Sequence, residues 1–195
     1  MKFSDGGWLF REGYEVRFAV HVYDAHKLED KLVLYMPYSY VGHKGATLDG
    51  GLLTMEITTP RSNIIGVTMY NYKGVQAKAP EFDLFTEAVD PVITEEEASY
   101  SFQSGDLRVV ITKGETLSTD FYYKGQLITQ SKPRSKAVVI DPKGHTHISE
   151  QLTLGVGETI YGLGERFTNF VKNGQSVSIW NADGGTGTEQ AYKNI

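Results

Sequence analysis

The chain has 195 residues, a formal net charge of -5, 40% hydrophobic residues and 22% charged residues, a balance that excludes a disordered chain. Its basic residues are scattered with no concentrated run, which excludes a nucleic-acid-binding surface, and cysteine is absent, which excludes a disulfide framework and a thiolate metal centre and fits a reducing cytoplasm. The opening residues lack the apolar core of a secretory signal, and no apolar run is long enough for a membrane span.

Taken in chain order, the pattern is that of short strands. Val16, Phe18, Val20 and Val22 alternate with Arg17, Ala19, His21 and Tyr23, the period of two that a half-buried strand requires. This predicts a strand with the valines and Phe18 inward. After a turn at Leu28-Glu29-Asp30-Lys31, the alternation resumes in Leu32, Leu34 and Met36, then in Leu53, Met55 and Ile57. A turn at Pro60-Arg61-Ser62-Asn63 leads to Ile65, Val67 and Met69, so these two runs read as an antiparallel pair. Residues 73–90 show little alternation and read as a long connection; the three glutamates at 95–97 read as a solvated edge.

Beyond it, Tyr100-Ser101-Phe102-Gln103 runs through Ser104-Gly105-Asp106 into Leu107, Val109 and Ile111. Leu117, Thr119, Phe121 and Tyr123 follow the turn Lys113-Gly114-Glu115, and Lys124-Gly125 then marks a hairpin. Ser131-Lys132-Pro133-Arg134-Ser135-Lys136 is a basic loop broken by proline, followed by two more strand candidates at 137–140 and 148–154. No window carries a helical stripe. About ten short strands at close spacing predict an all-β chain, a β-sandwich, in one domain. Aromatics at 12% fit the core of such a sandwich, and a sugar-stacking surface second.

For chemistry the residues alone say little. A sugar hydrolase needs two carboxyl groups roughly 5–10 Å apart, and no pair among the 24 acids is marked by a motif. His145-Thr146-His147 places two imidazoles on one side of a strand, but without a third ligand in the pattern no metal site is assigned. Gly162-Leu163-Gly164 lacks the continuation of a phosphate loop.

The last quarter is more specific. Gly155-Val156-Gly157-Glu158-Thr159-Ile160-Tyr161-Gly162-Leu163-Gly164-Glu165-Arg166-Phe167, followed by Asn173-Gly174-Gln175 and by Trp180-Asn181-Ala182-Asp183-Gly184-Gly185-Thr186-Gly187-Thr188-Glu189-Gln190-Ala191-Tyr192-Lys193-Asn194-Ile195, resembles glycoside hydrolase family 31, and its α-xylosidase branch in particular. The opening Lys2-Phe3-Ser4-Asp5-Gly6-Gly7-Trp8-Leu9 is also similar to that branch. The resemblance implies a β-sandwich of the galactose-mutarotase-like kind over residues 1–195, truncated at its C-terminal end. It also implies a (β/α)₈ barrel that follows it, outside this chain, and carries the nucleophile and acid/base of a retaining α-glycosidase.

No catalytic residue, metal or cofactor is then expected in this chain, and alone it is expected to be inactive. Its partners are its own barrel and an α-linked xyloside or glucoside; nucleic acid and membrane are not partners, and the pattern is compatible with an oligomer without specifying one. The resemblance further implies that a loop of the sandwich reaches the leaving-group subsite, with Asp183 accepting sugar hydroxyls beside Trp180 and Asn181. Within Asp183-Gly184-Gly185 the same carboxylate can instead organise a turn. Ala182 stands where many relatives carry arginine, so a contact made by that arginine is not carried over. Glu165-Arg166 is expected to tie the sandwich to the barrel, with Tyr161 and Phe167 in the core.

The alternative is a free-standing carbohydrate-binding module. Mutarotase-like catalysis, a third class, finds no support in the five histidines, which sit in no shared motif.

Overall fold

The computed structural model describes residues 3–5, 9–48, 50–74, 82, 84–87, 89–166, 168–179 and 192–193. Contacts divide the chain into two compact units, one of residues 12–153 and one joining residues 1–11 to 154–195.

The larger unit is built entirely of antiparallel ladders. β1 (Glu15–Phe18), β2 (Asp24–Lys27), β3 (Lys31–Pro37), β4 (Leu52–Arg61) and β5 (Ile64–Tyr70) come first, with a 3₁₀ turn at Lys44–Leu48 between β3 and β4. β6 (Val92–Glu95), β7 (Ser99–Ser104), β8 (Leu107–Thr112), β9 (Thr119–Tyr123) and β10 (Gln126–Ser131) follow, then β11 (Lys136–Ile140) and β12 (Thr146–Glu150). One sheet has the order β2-β3-β4-β5, a second β10-β9-β8-β7-β6, and a third β1-β11-β12.

Two junctions stitch these sheets together. Between β1 and β2 the chain changes partner: Ala19 donates its N–H to Lys136 O at 2.9 Å, whereas Val20 donates to Pro37 O at 3.0 Å. The first and third sheets are thereby joined through one strand-like segment. After β12, Gln151 N–H reaches Ser135 O, and Thr153 N–H reaches Gln130 O of β10 at 2.8 Å. Thr153 also accepts from Gln130 N at its hydroxyl, 3.0 Å away.

The core follows from the alternation. Leu32, Leu34, Met36, Leu53, Met55 and Ile57 from β3 and β4 meet Phe102, Val109 and Ile111 from β7 and β8, all fully buried. Leu117 closes the cluster, and Ile65, Val67 and Met69 pack against it from β5. This is the sandwich that the period-two runs predict. The hairpins obey their turn residues. Lys124 and Gly125 both have positive φ, 51° and 79°, the type I′ turn that matches the strand twist.

The first strand departs from expectation. Ala19 and His21 are buried there, while Val16, Phe18 and Val20 are only half-buried. Ala19 and Val22, three apart, both reach the core. Alternation therefore fails across residues 19–23, where the segment exchanges one neighbouring strand for another. Strand β4 also runs through Pro60 and Arg61, leaving Ser62 and Asn63 as the turn, with an irregular register between Thr58 and Arg61.

In the smaller unit, Ser4 and Phe10 form an isolated bridge, and Arg11 pairs with Asp5 at 3.0 Å. Strand β13 (Glu165–Arg166) pairs antiparallel with β14 (Tyr192–Lys193). Among the described residues no helix is long and apolar enough to cross a membrane.

Candidate functional site

Residues 155–179 lead into the segment on which the sequence places sugar contacts. Glu158 folds back so that its carboxylate accepts the Gly155 N–H at 2.5 Å. Asn173 then bridges the two legs of the segment: its side-chain oxygen accepts Ile160 N–H at 2.8 Å, and its amide donates to Glu158 O at 2.9 Å. Lys172 N–H donates to Ile160 O at 2.8 Å. The Lys172 side chain is buried, with its ammonium on Thr168 Oγ1 and Asn169 O. Local hydrogen bonds of this kind, mostly at exposed residues, let a segment with few apolar anchors hold a defined path.

Gly162, Leu163 and Gly164 follow in succession with φ of 93°, 67° and 84°. A leucine held there is costly, of the order of 1 kcal/mol, and the run turns the chain sharply into β13. The pairing of Glu165 with Lys193 and Arg166 with Tyr192 sets residues 167–191 between two hydrogen-bonded strand ends. Trp180, Asn181 and Asp183 fall within that interval and lie outside the described residues, as does Phe167. The backbone of Glu165-Arg166, the residues expected to tie the sandwich to the barrel, pairs with this chain's own Tyr192-Lys193. Tyr161, expected in the core, lies outside it. It is 52% exposed, with its ring 5.1 Å from the exposed Phe170.

Elsewhere the polar clusters serve structure. His145 Nδ1 and His147 Nε2 both turn to one oxygen of Asp141, at 3.1 and 3.3 Å, while its other oxygen accepts the N–H groups of Lys143 and His145. Burial raises the Asp141 pKa, but these hydrogen bonds outweigh it and hold the carboxyl well below the usual range. The two imidazoles thus brace a turn, and among the described residues no group of three or more His, Asp or Glu is placed to hold a metal. Glu56 is drawn down to about 2, first by the Tyr70 hydroxyl and then, against some burial, by Lys31 and Lys73. Glu95 is drawn down to about 2 by Lys113 and Lys27. Each of these carboxyls is pushed towards ionisation, the opposite of what a general acid needs.

Two buried groups were not legible in the sequence. His21 is 6% exposed and lies against the Tyr40 ring at 5.0 Å, with its Nδ1 unpartnered. Lys136 is 2% exposed and donates to Ser131 Oγ at 2.6 Å and to Glu150 at 3.0 Å. Both lie where the chain changes sheets, a property of topology rather than of local pattern.

Comparison with known proteins gives this architecture its place. The family model described as the glycosyl hydrolase 31 N-terminal galactose mutarotase-like domain matches residues 54–195. The whole chain aligns with the α-xylosidase XylQ of Lactiplantibacillus pentosus at 42% identity, covering 26% of that protein. It aligns with an α-xylosidase of Emericella nidulans at 34% identity, covering 28% of it. The chain thus spans about a quarter of the length of these curated relatives. Among solved structures, the cycloalternan-forming enzyme of Listeria monocytogenes superposes with a TM-score of 0.63 at 14% identity, over 88% of this chain and 15% of that one. A dextranase of the same hydrolase family from Flavobacterium johnsoniae gives 0.58 at 15% identity, over 85% and 19%. These two show the same fold. With a family model spanning most of the chain and whole-chain alignment to two α-xylosidases, the chain belongs to the N-terminal galactose mutarotase-like domain family of glycoside hydrolase 31.

Proposed function

We propose that this chain is the leading domain of a retaining α-glycosidase of the α-xylosidase type, acting in cytoplasmic carbohydrate metabolism on α-linked xylosides or glucosides. In this reading a following barrel supplies nucleophile and acid/base, and the sandwich supports it. The interval 167–191 reaches the leaving-group subsite. Asp183 accepts protons from two sugar hydroxyls there through charge-assisted hydrogen bonds, flanked by Asn181 and Trp180. The chain's own role is binding and positioning, so it needs no cofactor, and copies of the full protein are free to associate.

The observation that carries the proposal is the alignment of the entire chain, including Trp180, Asn181 and Asp183, with two α-xylosidases. The pairing of β13 with β14, which closes the base of the interval, supports it. Absence of cysteine supports the cytoplasm. The test is hydrolysis of aryl α-xylosides and α-glucosides by the full-length protein, with the 195-residue chain assayed beside it. Turnover by the former and buffer-level rates with the latter are expected. Turnover by the short chain, abolished by replacing one of its carboxylates, overturns the proposal.

A further inference from the structure

The basic, proline-broken loop before β11 has a specific geometry. Ser135 N–H donates to Lys132 O at 3.1 Å, Pro133 occupies the second position, and Arg134 the third, at φ 65°. A bonded turn with proline second and a positive φ third is type II, whose third position favours glycine or asparagine. Arginine there is held in the left-handed region at a cost in backbone energy. Its guanidinium lies 4.9 Å from the centre of the Phe18 ring, a cation–π contact that orients the group. Among the described residues Arg134 is paired with no carboxylate.

Phe18 and Arg134 belong to a cleft of about 580 Å³, within the size range of small-molecule sites. Val16 and Val20 join Phe18 as apolar lining, and this is the half-buried face of the first strand that the alternation expects to find in the core. Tyr38 lines it too, its hydroxyl donating to Leu52 O at 3.1 Å, so the ring is fixed. Arg17 also lines the cleft, ion-paired through its Nε with Glu15 at 2.6 Å. The cleft therefore combines an apolar wall with the Arg134 fork of N–H donors, which has no carboxylate partner among the described residues, on a chain of net charge -5. Guanidinium forks match carboxylate and phosphate bidentately.

We infer that this cleft binds a sugar-sized organic oxyanion, a phosphorylated or carboxylated monosaccharide, with Arg134 on the anionic group and the Val16–Phe18–Val20 face under the ring. The inference is independent of which glycoside the full protein cleaves.

Calorimetric titration of the full-length protein tests it, with glucose 6-phosphate, glucuronate, glucose and inorganic phosphate as probes. Saturable binding of at least one charged sugar is expected, weakened by added salt, with glucose and inorganic phosphate each at least about tenfold weaker. Glucose 6-phosphate binding alone assigns a phosphate ligand, and glucuronate alone a carboxylate. The Arg134→Gly variant removes the fork and relieves the backbone, so it should melt no lower than the parent yet bind at least about tenfold more weakly. Arg134→Lys should fall between, keeping charge without the fork. Equal affinity in the Arg134→Gly variant, or no saturable binding of either charged sugar, overturns the inference. Inorganic phosphate binding as tightly as the sugar phosphate would overturn the role of the apolar face.

Discussion

Removing the carboxylate beside the buried Lys136 should destabilise the sandwich more than removing the lysine itself. Lys136 is 2% exposed, and its ammonium has two partners, Glu150 at 3.0 Å and Ser131 Oγ at 2.6 Å. Burial lowers the Lys136 pKa, and the Glu150 charge, helped by Asp120, works against that. Glu150→Gln leaves a charged ammonium in a dry corner with neutral acceptors only, the Ser131 hydroxyl and the new amide oxygen, and with the weaker help of Asp120. Breaking a buried pair by deleting one partner costs about 3–5 kcal/mol, and because Glu150 keeps 24% exposure the lower end, about 3 kcal/mol, applies. Lys136→Met removes the buried charge, fills similar volume and leaves a carboxylate that water can reach, so its cost should be about 1 kcal/mol or less.

The pH dependence carries the same sign. A lysine whose folded pKa lies below its unfolded value penalises the fold while charged, and that penalty fades as pH rises from the folded value towards the ordinary lysine value. In Glu150→Gln the folded value drops further, so stability should climb more with pH and begin climbing lower. Urea unfolding of the 195-residue chain at several alkaline pH values measures both effects. Equal costs for the two variants, or stability of Glu150→Gln that falls over that rise, would refute the reasoning.

Three further outcomes follow from the geometry. Phe102→Ala empties a wholly buried site between the sheets and should cost about 3–5 kcal/mol, read as a drop in the urea midpoint at unchanged slope. Gly105→Ala should cost more than Gly125→Ala, though both positions have positive φ. A methyl at Gly105 would fall 2.5 Å from Asn63 Oδ1, the acceptor of Asp106 N–H, whereas at Gly125 it meets nothing; thermal melts of the two variants give the order. Asp141, whose folded pKa is depressed, contributes stability above its unfolded pKa that is lost as pH falls through the folded value. Asp141→Asn should therefore flatten the acid limb of a stability-versus-pH curve, and an unchanged limb would contradict the brace described for its turn.

The sandwich was legible because its core strands keep a strict period of two. Leu32, Leu34 and Met36, and Leu53, Met55 and Ile57, fill one side of the cluster as the alternation requires. The hairpins at Gly105 and Gly125 were legible for a related reason, since few residues other than glycine tolerate those turn positions. The first strand was not. Its apolar face is Val16, Phe18, Val20 and Val22, yet the change of partner between Lys136 and Pro37 turns Ala19 and His21 of the other face inward. The burial of Lys136 depends likewise on a corner between sheets, with Glu150 fourteen residues away. In the candidate site, the motif around Glu165-Arg166 identified the family. The bridging role of Asn173 and the pairing of β13 with β14 needed the folded backbone.

The leaving-group dependence of Asp183→Ala tests the central claim most directly. In the full-length protein, kcat/KM should be measured for an α-xyloside bearing a sugar leaving group and for one bearing an aryl group. The account predicts a loss on the order of 1.5–3 kcal/mol with the sugar, the worth of a hydrogen bond to a charged acceptor, and a clearly smaller loss with the aryl substrate. Equal losses with both would place Asp183 in the structure of its loop and contradict a contact in the leaving-group subsite.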